Sequence, residues 1–159
     1  MDLSGFLSEY FSEELVVFII SMLPFFELRL AIPLGISLGL SIEKTFLYSY
    51  IGSMIPSILI IYFIRKIFNY LKSIGLLKNT IKKLIKKSNL KYENLMKYKM
   101  LGLFFFVAIP LPGTGVWSAS LISDVVNLDK KLSLVTIALG NFTAGILILS
   151  LSHIAFNWK

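Results

Sequence analysis

Glu27 and Arg29 are the first residues of this chain whose types and setting suggest chemistry. They lie inside the apolar segment LPFFELRLAIPLGISLGL. A charge at bilayer depth costs roughly 2.5 to 3.5 kcal/mol on insertion scales, so such residues are interpreted first as functional. Glu27 can exchange a proton or balance a cationic substrate, and Arg29 can bind a phosphate or carboxylate through two parallel hydrogen bonds. The alternative is a salt bridge that only fixes the local turn.

The spacing of this pair predicts a break in the helix. On a continuous helix, residues two apart point away from each other and do not pair. We therefore expect the chain to turn between Pro24 and Pro33, which lets Arg29 bend toward the Glu27 carboxylate. A buried pair is weak evidence for stability, and this favours the functional interpretation.

A second break lies in FFFVAIPLPGTGVWSASLIS, where glycines and prolines take the place of charges. At membrane depth, non-helical backbone survives only when it is buried in protein or faces water. We expect PLPGTG to pack against the first break, with backbone amides and the Thr114 hydroxyl facing a substrate passage. The alternative is tight packing of small residues. The predicted pathway residues are Glu27, Arg29, Pro33, Pro110, Pro112, Gly113, Thr114 and Gly115.

Three further residues are weaker candidates for the pathway. Asp124 is interpreted as a solvated carboxylate, with a proton relay as the alternative. Asn141 is expected to bond a neighbouring helix and Trp117 to be a packing or interfacial aromatic, rather than to touch substrate.

The elements that must position these residues are membrane helices. Hydrophobic residues make up 56% of the 159-residue chain, charged residues 16%, and the mean hydropathy is +0.78. These values are typical of an integral membrane protein. Of four apolar stretches (15–40, 45–64, 101–122 and 132–156), only 45–64 and 132–156 are uninterrupted and long enough to span the hydrocarbon, which takes about 20 residues.

The two halves of the chain repeat one pattern. Aligning Pro24 with Pro110 brings Glu43 and Lys44 onto Asp129 and Lys130, and a two-residue slip aligns GSMIPSILII with GNFTAGILIL. Each half has an apolar arm, a break, a second short arm, a charged turn and a spanning helix. The arms form either a kinked span or a re-entrant hairpin.

Charge distribution favours the hairpin. Eleven of the sixteen basic residues fall between Arg65 and Lys99, which the positive-inside rule places in the cytoplasm. With two hairpins, every basic cluster lies inside, both termini lie outside, and the halves are inverted as in many secondary transporters. The predicted fold is all-α, a single membrane domain 1–159 with repeat one at 11–66, a cytoplasmic linker at 67–97 and repeat two at 98–156.

The linker is predicted to hold a basic amphipathic helix. Leu77, Ile81, Leu84 and Ile85 share one face, and lysines fill much of the remainder. The helix either rests on anionic headgroups or is a solvated linker that sets topology. The membrane-surface lysines are Lys78, Lys82, Lys83, Lys86 and Lys87.

Composition argues against several function classes. The chain has no cysteine and one histidine, so a cysteine nucleophile, a Ser/His/Asp triad and an imidazole zinc cluster are not expected. We expect no enzyme activity, no metal and no cofactor. No binding module supports a nucleic-acid partner. A homodimer that encloses a path is considered as a partner arrangement.

Two motifs carry a family resemblance: E-x-R-x-x-I-P-x-G at Glu27 to Gly35, and P-x-P-G-T-G-x-W at Pro110 to Trp117. They resemble the small multidrug export protein family over nearly the whole chain. That family is similar to the DedA/VTT-type membrane proteins, which are linked to lipid or lipid-carrier translocation and to the proton-motive force. This sequence has no arginine in its second break, so phosphate recognition by two facing arginine sites does not carry over.

The sequence therefore predicts a small polytopic exporter in the cell membrane, with a substrate path between the two breaks and proton coupling through Glu27 as one option. One alternative is a scramblase or flippase of a phospholipid or polyprenyl phosphate, favoured by Arg29 and the basic helix. Another is a membrane scaffold that transports nothing, in which the broken segments only pack.

Overall fold

The computed structural model describes residues 12–73, 96–111 and 113–157. All regular structure in these residues is helical, in the order short, short, long, short, short, long. The helices are α1 (Glu13–Met22), α2 (Glu27–Ser37), α3 (Ile42–Ser73), α4 (Met96–Ala108), α5 (Val116–Val125) and α6 (Lys130–Asn157). We call α1 and α2 the first pair, and α4 and α5 the second pair.

The two long helices carry the segments that can cross a membrane. Ile42–Ile64 in α3 and Lys130–Ile154 in α6 have the length and apolar composition of spans. They coincide with the predicted spans at 45–64 and 132–156. Helix α3 runs on to Ser73, past the predicted end of repeat one, and α4 begins at Met96 inside the predicted linker. The predicted amphipathic helix and its five lysines lie outside the described residues.

Both long helices begin with the same kind of cap. The Ser41 hydroxyl accepts from the Lys44 N–H at 3.4 Å, and the Asp129 carboxylate accepts from the Leu132 N–H at 2.8 Å. A side-chain oxygen that accepts from an amide three residues on satisfies one of the donors left unpaired at a helix start. The two caps are thus Ser41 and Asp129, whereas the sequence alignment placed Glu43, two residues further on and inside α3, with Asp129.

The second helix of each pair also ends in the same way. Gly39 and Asn127 both adopt left-handed backbone angles, with φ of 86° and 54°. The next amide in each case closes the turn, from Leu40 to the Gly35 carbonyl at 3.0 Å and from Leu128 to the Ser123 carbonyl at 2.9 Å. Glycine and asparagine are the residues that best tolerate this conformation at a helix C-terminus.

The helices pack in a pattern that links the halves. The first helix of each pair packs on its own long helix, α1 on α3 and α4 on α6. The second helix of each pair also packs on the long helix of the other half, α2 on α6 and α5 on α3. In the core, Leu28 of α2 lies against Ala144 and Ile148 of α6, and Val116 and Ala119 of α5 lie in one cluster with Ile61 of α3. This exchange brings the turns of the two pairs together.

Candidate functional site

The turn of the first pair occupies Leu23 to Phe26 and is shorter than expected. The Glu27 N–H already donates to the Leu23 carbonyl at 3.0 Å, and α2 begins at Glu27. Pro33, which we expected at the far end of the break, lies inside α2. Because proline has no N–H, it cannot complete the helical bond to the Arg29 carbonyl. The helix tolerates this loss, so the break is a tight turn next to Pro24 only.

Glu27 has an unusual backbone at the start of α2. Its φ is +46°, in the left-handed region that non-glycine residues rarely adopt. Its side chain is only 5% exposed. A strained residue of this kind persists only where the surrounding structure holds it. The contacts of the carboxylate show what holds it.

The Glu27 carboxylate caps helix α5 of the second pair. One carboxylate oxygen accepts from the Trp117 N–H at 3.1 Å, and the adjacent Val116 N–H also donates to it. Gly115, the residue at the N-cap position, has no side chain to satisfy these amides. A carboxylate at a helix N-terminus interacts favourably with the helix dipole as well as with the free N–H groups. Glu27 therefore supplies from a distant part of the chain the cap that α5 lacks locally.

Gly115 makes room for this carboxylate. A Cβ atom at position 115 would lie 2.0 Å from one Glu27 carboxylate oxygen and 2.8 Å from the other, and the backbone φ is +139°. No side chain fits there while Glu27 occupies its position. The space that the Glu27 carboxylate occupies is thus the reason why position 115 is a glycine.

Arg29 reaches the same turn by a second route. Its guanidinium donates to the Leu111 carbonyl through Nη1 and to the Thr114 hydroxyl through Nη2, the latter at 2.8 Å. The Thr114 oxygen also lies 3.0 Å from the Ile109 carbonyl and 2.9 Å from the Leu111 carbonyl. One arginine and one hydroxyl therefore bind carbonyl groups of the turn that follows α4, and these carbonyls also accept from backbone amides within the turn.

Trp117 adds a hydrogen bond that a side chain of the second pair donates to the first pair. Its indole N–H donates to the carbonyl of Met22, the last residue of α1, at 3.2 Å. Trp117 thus binds the first pair twice, through its backbone to Glu27 and through its side chain to Met22. We call the set Met22, Glu27, Arg29, Leu111, Thr114, Gly115 and Trp117 the turn junction.

The turn junction corrects two expectations from the sequence. Within the described residues, Arg29 and Glu27 bind the second pair and form no salt bridge with each other. The amides at the start of α5, expected to face a substrate passage, are occupied by the Glu27 carboxylate. The physical reason is that the start of α5 exposes unpaired N–H donors, whereas the turn before it presents carbonyl acceptors. The Glu27 carboxylate binds the donors and the Arg29 guanidinium binds an acceptor. The two side chains therefore satisfy more groups separately than by pairing with each other.

A line of buried hydroxyls on α3 leads toward the junction. Thr45, Ser49, Ser53 and Ser57 recur every fourth residue and have 0% exposure. Ser57 shares a 2.8 Å hydrogen bond with Ser120 of α5, and Ser53 accepts from the Asn141 amide of α6 at 2.8 Å. Sequence reasoning missed this line, although its period of four is visible in the sequence. Asn141 binds a neighbouring helix, as expected.

The remaining candidates lie elsewhere. Asp124 is eight positions beyond Val116, near the C-terminal end of α5, and outside the turn junction. Gly113 lies in the turn with φ of +81° and open space around it. Pro110 precedes Leu111 in the same turn, whereas Pro112 lies outside the described residues. Among the residues the structure describes, no three His, Asp or Glu side chains are grouped to hold a metal ion.

Comparison with known proteins gives one clear match. A family model described as "Putative small multi-drug export protein" covers residues 27–147. The chain belongs to this family. The matched region begins at Glu27 and contains the whole second side of the turn junction. No curated protein and no solved structure matches the chain, and the distant similarity to DedA/VTT-type proteins gains no support.

Proposed function

We propose that this member of the small multi-drug export family is a small-molecule exporter in which the turn junction closes the substrate path. The observation that carries the proposal is that the only two charged side chains of the junction, Glu27 and Arg29, are both used to join the two turns. Intramembrane charges mark transport pathways more often than structural sites. A contact made of hydrogen bonds between helix ends can be broken and remade without repacking the core.

The proposal includes re-entrant pairs in inverted orientation. Helices α1, α2, α4 and α5 have between 10 and 13 residues and are too short to cross the hydrocarbon. The pairs therefore meet near the middle of the bilayer, where each supplies a turn. The equivalent helix starts at Ser41 and Asp129 and the exchanged packing of α2 and α5 support the repeat.

Glu27 is the proposed proton site. When a proton binds the carboxylate, its negative charge is lost, and with it the attraction to the N-terminal end of α5. The junction then opens, and Arg29 is free to exchange the Leu111 carbonyl and Thr114 hydroxyl for other acceptors. Release of the proton to the opposite side restores the cap. The inward gradient of protons thereby drives one opening and closing cycle for each proton.

Efflux measured in proteoliposomes tests the proposal, with ethidium, a lipophilic cation, as probe and an imposed pH gradient. The wild type should move ethidium, and both Glu27→Gln and Arg29→Ala should abolish the movement while remaining monodisperse and inserted. Glu43→Gln is the matched control, since Glu43 is exposed near the start of α3. It should retain wild-type transport.

Three results would contradict the proposal. The first is unchanged pH-driven transport by Glu27→Gln. The second is movement of fluorescent phospholipid between leaflets in the same vesicles with no movement of ethidium, which would replace export by scrambling. The third is movement of neither probe, which would favour a scaffold.

A further inference from the structure

A cavity of about 220 Å³ lies between the two helices of the second pair. Helix α4 lines it with four residues on one face, Lys99, Gly102, Leu103 and Phe106. The rest of the lining is Ile122 of α5 and, just beyond the end of that helix, Val126 and Leu128. It is larger than an engineered apolar cavity of about 150 Å³ that binds benzene. The cavity lies toward the open end of the second pair, on the side away from the turn at 109–115.

One wall of the cavity is formed by a glycine. A Cβ atom at Gly102 would have no neighbour within 4 Å, so the space beside α4 is empty. A glycine inside a helix is less favourable than an alanine, and nothing in the contacts around position 102 excludes a larger residue. Gly102 and Ile122 are both exposed, so the cavity opens onto the surface of the protein. We expect this exposed, largely apolar surface to face lipid.

The lining has the chemistry of an amphiphile site. Apart from Lys99, every side chain named above is apolar, and Leu103 at the base belongs to the hydrophobic core. Lys99 lies in the first turns of α4, directly after a segment of the sequence with a large excess of basic residues. By the positive-inside rule this end faces the cytoplasm, where the leaflet carries anionic lipids. The positive charge therefore lies at the height of anionic headgroups.

We propose that this cavity binds one acyl chain of an anionic phospholipid, with Lys99 opposite the lipid phosphate. The acyl chain enters between α4 and α5 and fills the space that Gly102 leaves. The bound lipid then supports the second pair, whose two helices make fewer contacts with each other than those of the first pair. This site is separate from the turn junction and does not depend on transport.

Native mass spectrometry of the full chain in detergent tests the proposal, with dioleoyl phosphatidylglycerol and dioleoyl phosphatidylcholine as probes. The wild type should retain one phosphatidylglycerol with an affinity about fivefold above phosphatidylcholine, the difference expected from one lysine near a headgroup. Lys99→Gln should remove this preference. Gly102→Phe should fill the cavity and abolish retention of the single lipid.

Leu101→Phe provides the matched control, because Leu101 is an exposed neighbour on the same helix that does not line the cavity. It should bind lipid like the wild type. Gly102→Ala, which shortens the cavity only slightly, serves as a second variant should Gly102→Phe not fold. It should weaken retention without abolishing it.

Three outcomes would overturn the proposal. Equal retention of phosphatidylglycerol and phosphatidylcholine by the wild type would remove the role of Lys99. Unchanged phosphatidylglycerol binding by Gly102→Phe would place the lipid elsewhere. Loss of ethidium binding in Gly102→Phe with unchanged lipid binding would assign the cavity to the export substrate.

Discussion

The turn regions of the first pair and of the second pair contribute different chemical groups to the contact between them. The first turn is short, and the first turn of α2 directly after it carries two charged side chains, Glu27 and Arg29, that bind the second pair. The second turn is longer, contains two glycines at positive φ, and offers backbone amides and carbonyls. Each turn region binds groups that the other presents. Two copies of either would leave like groups facing each other, so the asymmetry suits the two pairs to bind each other.

Gly115→Ala should cause the largest loss of stability among the variants at the contact between the two turns. The added Cβ would overlap the Glu27 carboxylate and also occupy an unfavourable backbone conformation. Overpacking together with backbone strain predicts a loss of about 3 kcal/mol in the free energy of unfolding. Thermal unfolding of the purified protein in one detergent measures the loss.

Gly113→Ala is the control for this variant. Gly113 also has a positive φ but has open space around it, so only the backbone strain applies. It should cost about 1 kcal/mol. Equal losses at positions 113 and 115 would mean that the carboxylate does not fill the space beside Gly115 in solution.

Removal of the Glu27 carboxylate should have the next largest effect. Glu27→Ala leaves the amides at the start of α5 without their acceptor, which costs about 2 kcal/mol. Glu27→Gly removes the same group but relieves the left-handed backbone, so it should be about 1 kcal/mol more stable than Glu27→Ala. Chemical unfolding of both variants checks the order. The reverse order would show that Glu27 is not strained.

Arg29 and Thr114 should be energetically coupled. Arg29→Lys loses the forked contact with the Leu111 carbonyl and the Thr114 hydroxyl, and Thr114→Val loses the hydroxyl. Each should cost about 1 kcal/mol, and the double variant should cost less than the sum because both remove one bond. A double-mutant cycle of unfolding free energies measures the coupling. Strict additivity would contradict the contact.

Asn141→Ala should have a smaller effect, although Asn141 is buried. It removes the bond to the Ser53 hydroxyl, and hydrogen bonds between membrane helices average about 0.6 kcal/mol. Ser53→Ala should show a similar loss. A loss above that of Glu27→Ala would mean that the hydroxyl line, and not the turn junction, holds the halves together.

The exposed pair Glu14 and Lys44 should contribute least. The Lys44 ammonium donates a hydrogen bond to the Glu14 carboxylate and so holds the pKa of this carboxyl below its usual value. Any contribution to stability is therefore present at neutral pH and is lost as the pH falls through this lowered pKa. Lys44→Gln should leave the thermal midpoint at neutral pH nearly unchanged and abolish the small acid dependence, which a pH series of unfolding curves measures.

The sequence located the two turns better than it indicated what their residues touch. Apolar length placed both membrane-capable segments within a few residues, although α3 itself runs on to Ser73. Glu27 and Arg29 were singled out because single charges are conspicuous in an apolar chain. The proline and glycine pattern located the second turn. Partner choice could not be predicted, since it depends on how α2 and α5 cross to the opposite long helices. Trp117 shows this most clearly, because nothing in the residues around it indicates its two bonds to the first pair.

The burial of the hydroxyl line on α3 could not be predicted for a different reason. Serine and threonine are common in membrane helices, and a period of four is also what ordinary helix packing produces. Only burial on all sides distinguishes Ser53 and Ser57 from lipid-facing hydroxyls. That burial depends on α5 and α6, which lie far along the chain.

The exchanged packing of α2 and α5 has a consequence for how the protein is made. Glu27 and the Trp117 N–H that donates to its carboxylate are 90 residues apart in the chain. At ribosomal rates of about 5 to 20 residues per second, the first turn waits roughly 5 to 20 s before its partner is synthesised. During this interval the nascent first half holds a carboxylate and a guanidinium without their final partners. We therefore expect the first pair to reach its final conformation only after Trp117 has been synthesised.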